Sequence, residues 1–267
     1  MTEEYGNKIE RVKTYVQGFD EEMGGGIPAG HIVLVSGTAG TMKSSITFSI
    51  LYNEALNGKN SLYLTLEQSQ QSLLNHMSNM GFDLSKINLI TMDDISKVHE
   101  TISQIENSKG SLVITDLGAI RKQIKSMKDG PSGDWLNVIK NILIKLKKKT
   151  NLKCFVLDSL SAMYVLSDFK DPRTELFHLF EFFRDLEVTT FLISEMPLDK
   201  SKYSEYDIED FLSDAIIHVE LAPRMRKVDR NISVVKMRGT NCNNDIFTLE
   251  FKNGKFYALY GGKTPLV

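Results

Sequence analysis

The chain has 267 residues, 42% hydrophobic and 25% charged, with a formal net charge of −2. This profile excludes a disordered chain, and the slightly acidic balance excludes a global basic footprint for nucleic acid. No apolar run approaches the roughly 18 residues of a membrane span, so membrane insertion is not expected.

The start, Met1-Thr2-Glu3-Glu4-Tyr5, is polar and acidic and has no secretory character. Cys154 and Cys242 lack metal-ligand spacing and suit a reducing compartment with packing roles. Together these features predict a cytoplasmic protein.

In chain order, the apolar run 31–36 predicts a buried strand. Residues 45–56 carry apolar side chains at 46, 50, 51 and 55, one helical face, and Asn57-Gly58 closes the helix. A strand over 61–66, a helix over 69–80 stopped by Gly81, and short strands at 88–91 and 112–115 follow. Residues 119–133, with Lys128-Asp129-Gly130-Pro131-Ser132-Gly133, read as a mobile surface loop. A helix over 134–149, a strand over 153–158, a helix opened by Asp171-Pro172 and a strand over 188–194 complete a βα alternation. That order calls for a parallel sheet with right-handed crossovers. From Ala215 helices stop, and strands at 215–221, 231–237, 246–250 and 255–259 predict an antiparallel extension. Asn253-Gly254 is the hairpin turn between the last two. No linker or repeat divides the chain, so one domain over 1–267 is expected.

The richest motif is Gly37-Thr38-Ala39-Gly40-Thr41-Met42-Lys43-Ser44, a near match to the P-loop (Walker A) pattern G-x-x-x-x-G-K-[ST], with Met42 replacing the second glycine. Strand, glycine-bearing loop and helix place the loop amides, through Ser45, at a helix N-terminus where the dipole favours an anion. Lys43 would reach the β- and γ-phosphates of ATP, and Ser44 would offer its hydroxyl to Mg²⁺. Met42 is tolerable there if its backbone is right-handed, with Gly37 and Gly40 left to serve the tighter positions.

Six further residues carry candidate chemistry. Asp158 ends an apolar strand; paired with a P-loop it would orient the Mg²⁺ shell, and otherwise it would cap a helix. Glu67, just beyond the strand 61–66, would polarise an attacking water, or sit solvated beside Gln68. Ser194 and Glu195 hold a similar rim position, where Ser194 would sense the γ-phosphate, or serve a helix cap or turn. Lys236 and Arg238 alternate on one strand face, with Met237 on the other. They would hold a phosphate, or guard an exposed sheet edge, and spacing leaves both readings open. Basic runs at Arg121-Lys122 with Lys125 and Lys128, at 145–149 and at 224–230 complete the inventory; the second reads as a solvated helix end.

Several segments in order resemble KaiC-type ATPases of the RecA superfamily. These are Gly18-Phe19-Asp20, Gly24-Gly25-Gly26-Ile27-Pro28-Ala29-Gly30, the P-loop, Leu64-Thr65-Leu66-Glu67, Val156-Leu157-Asp158-Ser159, Glu209-Asp210-Phe211-Leu212-Ser213-Asp214 and Lys236-Met237-Arg238-Gly239-Thr240. The resemblance spans about residues 11–260. It implies a RecA-like P-loop NTPase fold, with a mostly parallel central sheet flanked by helices and a C-terminal antiparallel β extension. It also implies ATP with Mg²⁺ and a homo-oligomeric ring, a hexamer, with nucleotide at subunit interfaces. Glu67 matches the first of the family's paired catalytic glutamates; the second is Gln68 here, which implies slow turnover. Lys236 and Arg238 match residues that reach the neighbouring subunit's γ-phosphate.

Two departures bear on activity. One copy of the domain is present where the clock protein carries two, as in single-domain archaeal relatives. Asp210-Phe211 stands where that protein autophosphorylates, and neither side chain accepts phosphate, which argues against an autokinase.

The leading expectation is a slow ATP hydrolase whose nucleotide state regulates an unidentified protein partner. A non-hydrolysing ATP sensor, motivated by Met42 and Gln68, is one alternative. A recombinase-like, DNA-dependent ATPase, motivated by the basic loop at 121–128, is a disfavoured other.

Overall fold

The computed structural model describes residues 9–126, 135–167, 169–196, 203–224 and 227–260. Its main feature is an 11-stranded sheet. Seven strands are mutually parallel and lie in the order β10 (Ala215–Arg224), β4 (Ile32–Gly37), β9 (Thr189–Glu195), β8 (Leu152–Asp158), β5 (Asn60–Thr65), β7 (Ser111–Asp116) and β6 (Asn88–Met92). Beyond β10 the sheet continues antiparallel through β11 (Lys227–Met237), β12 (Phe247–Lys252) and β13 (Lys255–Tyr260). The short β2 (Val16–Gln17) pairs parallel to β13 at the edge, and β1 (Arg11–Val12) pairs separately with β3 (Ile27–Pro28). The expected extension is present, but it begins one strand later than at Ala215, because β10 runs parallel to β4.

Alternation along the strands explains why this sheet is buried on both faces. Val33, Val35, Tyr63 and Val156 join one apolar cluster, whereas Ile32, Leu34, Leu62, Leu64, Phe155 and Leu157 join the other. Helices α1 (Lys43–Leu56) and α2 (Gln70–Asn79) pack into the first cluster. The second is covered by α3 (Val98–Glu106), α5 (Trp135–Thr150), α6 (Leu160–Leu166) and α7 (Pro172–Leu186). Asp171 caps α7, accepting from Thr174 N at 3.4 Å, with Pro172 in the first turn as expected. Asn253 (φ 51°) and Gly254 (φ 74°) form the predicted two-residue hairpin, both in the left-handed region that this turn requires.

Three expectations need correcting. Residues Leu117–Ser126 form a helix, α4, rather than a loop: Asp116 Oδ1 accepts from Ala119 N at 3.0 Å, and Ala119 and Ile120 are buried. The remainder of the expected loop, with Lys128, lies outside the described residues. Helix α1 is buried nearly all round rather than on one face, because the N-terminal residues Val12, Val16 and Phe19 share its apolar cluster and Tyr15 Oη donates to Glu54 Oε1 at 2.5 Å. The sequence reading also omitted α3, α6 and the four-residue α8 (Glu209–Leu212).

Candidate active site

Functional groups gather at one edge of the parallel sheet because four adjacent strands end together there. Gly37 pairs with Glu195 across β4 and β9, and Thr65 pairs with Asp158 across β5 and β8. Beyond these ends lies a cleft of about 840 Å³, lined by residues 39–45, Glu67, Gln68, His76, Asn79, Met80, Asp158, Glu195, Arg230 and Phe251. That volume suits a nucleotide-sized ligand. A cleft of similar size, about 880 Å³, opens at the opposite sheet edge among Glu10, Lys13, His31, Lys153 and Arg184. It lacks the helix N-terminus and converging amides of the first, so the first is the stronger candidate.

The loop between β4 and α1 is shaped at two glycines for different reasons. A Cβ on Gly37 would meet Val219 O at 2.1 Å, so close approach to β10 excludes a side chain. Gly40 has open space around it but adopts φ 80°, so conformation is its requirement. Met42 overturns the right-handed expectation: it caps α1 at φ 74°, ψ 24°, in the left-handed region. Its side chain is half-buried against the α1 cluster, and that packing offsets part of the backbone cost.

Lys43 is almost fully buried, and its ammonium donates to Gly37 O at 2.7 Å and Thr38 O at 2.9 Å. It also pairs with Glu195 Oε1 at 2.8 Å. Thr41 Oγ1 donates to Thr38 O at 2.9 Å, bracing the loop. Ser45 is buried, with its hydroxyl 3.5 Å from His76 Nε2 on α2.

Asp158 is 2% exposed at the end of β8 and accepts from Tyr63 Oη at 2.6 Å. Burial raises its pKa to about 6, against lowering hydrogen bonds from Tyr63 and Ser44. The same burial, with the Asp158 charge beside it, pushes the Tyr63 phenol well above its usual value. A carboxylate and a hydroxyl beside helix-terminal amides are the hard oxygen donors that Mg²⁺ takes, along with phosphate and water. Among the described residues no group of three or more His, Cys, Asp or Glu forms a self-sufficient metal cage. Ser44 and Asp158 thus fit a cation carried in with phosphates. Glu67 is exposed at the rim, where its carboxylate accepts from the Ser159 hydroxyl. Gln68 is turned toward α2, accepting from Ser72 Oγ at 3.1 Å.

Lys236 and Arg238 do not join this cleft. Met237 pairs with Ala215, which pairs with Val33, so these cations lie by the start of β4, at the sheet edge away from the P-loop. Met237 is buried and its neighbours are not, as alternation predicted. Lys236 Nζ donates to Asp210 O (2.8 Å) and Ser213 O (2.7 Å), and Arg238 donates to Asp214 Oδ1 (2.9 Å) and Phe211 O (2.8 Å). Desolvation, then the nearby Arg238 charge, lowers the Lys236 pKa. Phe211, between their acceptors, is 74% exposed.

Ser194 is buried at the end of β9, and its hydroxyl has no hydrogen-bond partner among the described residues. The sequence reading missed Arg230, whose Nε donates to the P-loop carbonyl Gly40 O at 3.3 Å. It had been folded into a basic run; only the placement of β11 beside β10, itself beside β4, brings it to the cleft. His76, Asn79, Met80 and Phe251, at the half-apolar end of the cleft, were missed for the same reason.

A family model described as "ATPase: KaiC" matches residues 12–257. The circadian clock protein KaiC3 of Synechocystis is 28% identical over 259 residues, covering 96% of this chain and 46% of that protein. The circadian clock oscillator protein KaiC of Prochlorococcus marinus is 26% identical over 242 residues, covering 87% and 42%. The chain therefore spans less than half the length of these relatives. The crystal structure of a KaiC-like protein from the archaeon Pyrococcus horikoshii shares the fold, with a TM-score of 0.74 over 95% of this chain and 100% of that one, at 24% identity. No helix among the described residues is long and apolar enough to cross a membrane.

Proposed function

The chain belongs to the KaiC family of ATPases, and from that premise we propose that it is a slow, Mg²⁺-dependent ATP hydrolase acting as a ring-forming, cytoplasmic regulator. One observation carries the reading. The P-loop, Ser44, Asp158 and Glu67 converge at one sheet edge, while Lys236 and Arg238 sit at the other. That separation supports a site completed between two copies, each supplying one half.

The loop amides over residues 38–44 and Lys43 bind the phosphates at the α1 N-terminus. Mg²⁺, held by Ser44 and Asp158, would neutralise charge on the phosphate oxygens. Glu67 takes the proton of the attacking water, and its bond from Ser159 orients the carboxylate. Arg230 steadies the loop at Gly40. Lys236 and Arg238 of one copy stabilise charge at the phosphate of the next, the role of an arginine finger, with a ring as the closed assembly. With Gln rather than Glu at 68, Glu67 is the one carboxylate of its pair, and turnover is slow. The exposed Phe211 lies on the surface that such a neighbour covers.

The test is steady-state hydrolysis alongside mass measurement in solution, with and without ATP. Lys43→Ala abolishes turnover, and Glu67→Gln lowers it by about 10²–10⁴. Unchanged turnover in both variants refutes the mechanism, and a persistent monomer with full activity refutes the shared site. A second reading, a non-hydrolysing ATP sensor, draws on the left-handed Met42 and on Gln68 in place of a second carboxylate. It predicts tight ATP binding with background turnover.

A further inference from the structure

The Lys43 ammonium has three protons, and all three have acceptors within the chain: Gly37 O, Thr38 O and the Glu195 carboxylate. A phosphate oxygen gains this lysine only by taking the place of one of them. The two carbonyls belong to the loop that wraps the phosphate, and their positions are set by β4 and by the Thr41 brace. Glu195 is different in kind. It is the one anion of the three, it lies on a separate strand, and it is 38% exposed at the cleft where Lys43 is 5% exposed.

The Glu195 backbone is held firmly in place. Its N–H donates to Ser161 Oγ at 3.2 Å, the next amide, Met196 N, donates to Gly37 O at 3.2 Å, and β9 pairs Glu195 with Gly37. The main chain is thereby fixed on two sides, while the carboxylate, paired with Lys43, is 38% exposed.

We propose that Glu195 is a built-in competitor for the phosphate-binding lysine. Its carboxylate occupies Lys43 until the β- and γ-phosphates of a nucleotide displace it, and it recaptures Lys43 as the nucleotide leaves. Glu195 thereby sets nucleotide affinity and speeds product release. The inference rests on the nucleotide-binding reading of the P-loop and adds to it a group that weakens binding. A charge-assisted pair of this geometry is stronger than a neutral hydrogen bond, and its partial exposure limits the effect.

Glu195→Gln keeps the side-chain shape and removes the charge, at a position exposed enough for the variant to fold. Affinity for ADP and for a non-hydrolysable ATP analogue, measured by calorimetry on the full chain, is expected to tighten about three- to ten-fold. ADP release by stopped flow is expected to slow by a similar factor. In a Lys43→Ala background the same substitution is expected to bring no gain, because Glu195 acts through the lysine. The gain in the parent chain is also expected to shrink at 1 M salt, where the charge pair is screened over about 3 Å.

Unchanged or weaker affinity in Glu195→Gln overturns the proposal. So does a gain that persists without Lys43, which would mark simple relief of repulsion between carboxylate and phosphate. Collapsed turnover at unchanged affinity overturns it too, placing Glu195 in the hydrolytic step. A parent chain that binds neither nucleotide refutes the P-loop reading as well, so the two failures are distinguishable.

Discussion

The left-handed Met42 has a measurable consequence for stability. An L-residue in that conformation costs about 1–2 kcal/mol, which glycine avoids. The half-buried Met side chain returns part of this, about 1 kcal/mol, roughly half the value of a fully buried methionine. Met42→Ala loses that packing and keeps the strain. Met42→Gly also loses the packing but relieves the strain, less the roughly 0.4–1 kcal/mol by which glycine's freer unfolded chain counts against it. Glycine at 42 is therefore expected to be more stable than alanine by about 0.5–1 kcal/mol, the reverse of the order in a helix interior. At this chain length that is a difference of about 2 °C in Tm. Calorimetry and guanidinium unfolding of the three proteins, free of nucleotide, would read it directly. Nucleotide must be absent because phosphate contacts to the loop amides would add different stabilisation to each variant. An alanine variant as stable as the glycine variant would refute the left-handed assignment and the strain argument with it.

Other predictions concern the same machinery. Mixing Lys43→Ala protein with Arg238→Ala protein is expected to restore hydrolysis to about a quarter of the parent rate, since half the P-loops and half the fingers are intact and act between copies; no recovery would place Arg238 in its own subunit's chemistry. Gly37→Ala, whose Cβ would lie 2.1 Å from Val219 O, should lose about 1–3 kcal/mol in urea unfolding from overpacking. Gly40→Ala, with open space around it, should lose only its conformational cost, so equal losses would contradict the close approach.

Asp158 gives a pH signature. Its folded pKa of about 6 lies above the unfolded value, so the folded state binds the proton more tightly and stability falls as pH rises through roughly 4 to 6. Above that window the buried charge costs up to about 3 kcal/mol, at 1.36 kcal/mol per pH unit. In EDTA without nucleotide, Asp158→Asn should be the more stable protein at pH 7.5, with the advantage vanishing toward pH 4. Parallel stability–pH curves would argue against the shift.

Much of this protein was legible as a string of residues because the signals are local. Periodicity marked most strands and the longer helices, Asp171-Pro172 and Asn253-Gly254 marked ends and turns, and the glycine loop before Lys43-Ser44 marked a phosphate site. The errors arose where tertiary packing overrides local preference. Gly118, in a glycine- and lysine-bearing stretch, enters helix α4 because Asp116 caps the turn and Ile120 finds the core. Met42 takes a glycine conformation because the P-loop's path is set by β4, α1 and the packing around them rather than by residue 42.

What the sequence singled out alone was the set of candidate residues: Lys43, Ser44, Glu67, Asp158, Lys236 and Arg238 were all visible from motif and resemblance. Their grouping was not. Strand order is set by long-range pairing and crossover, for which no spacing along the chain stands in. Sheet order alone put Glu195 against Lys43 and Arg230 against the P-loop. It also sent Lys236 and Arg238 to the far edge, where they bond to residues 210–214 rather than to the P-loop cleft.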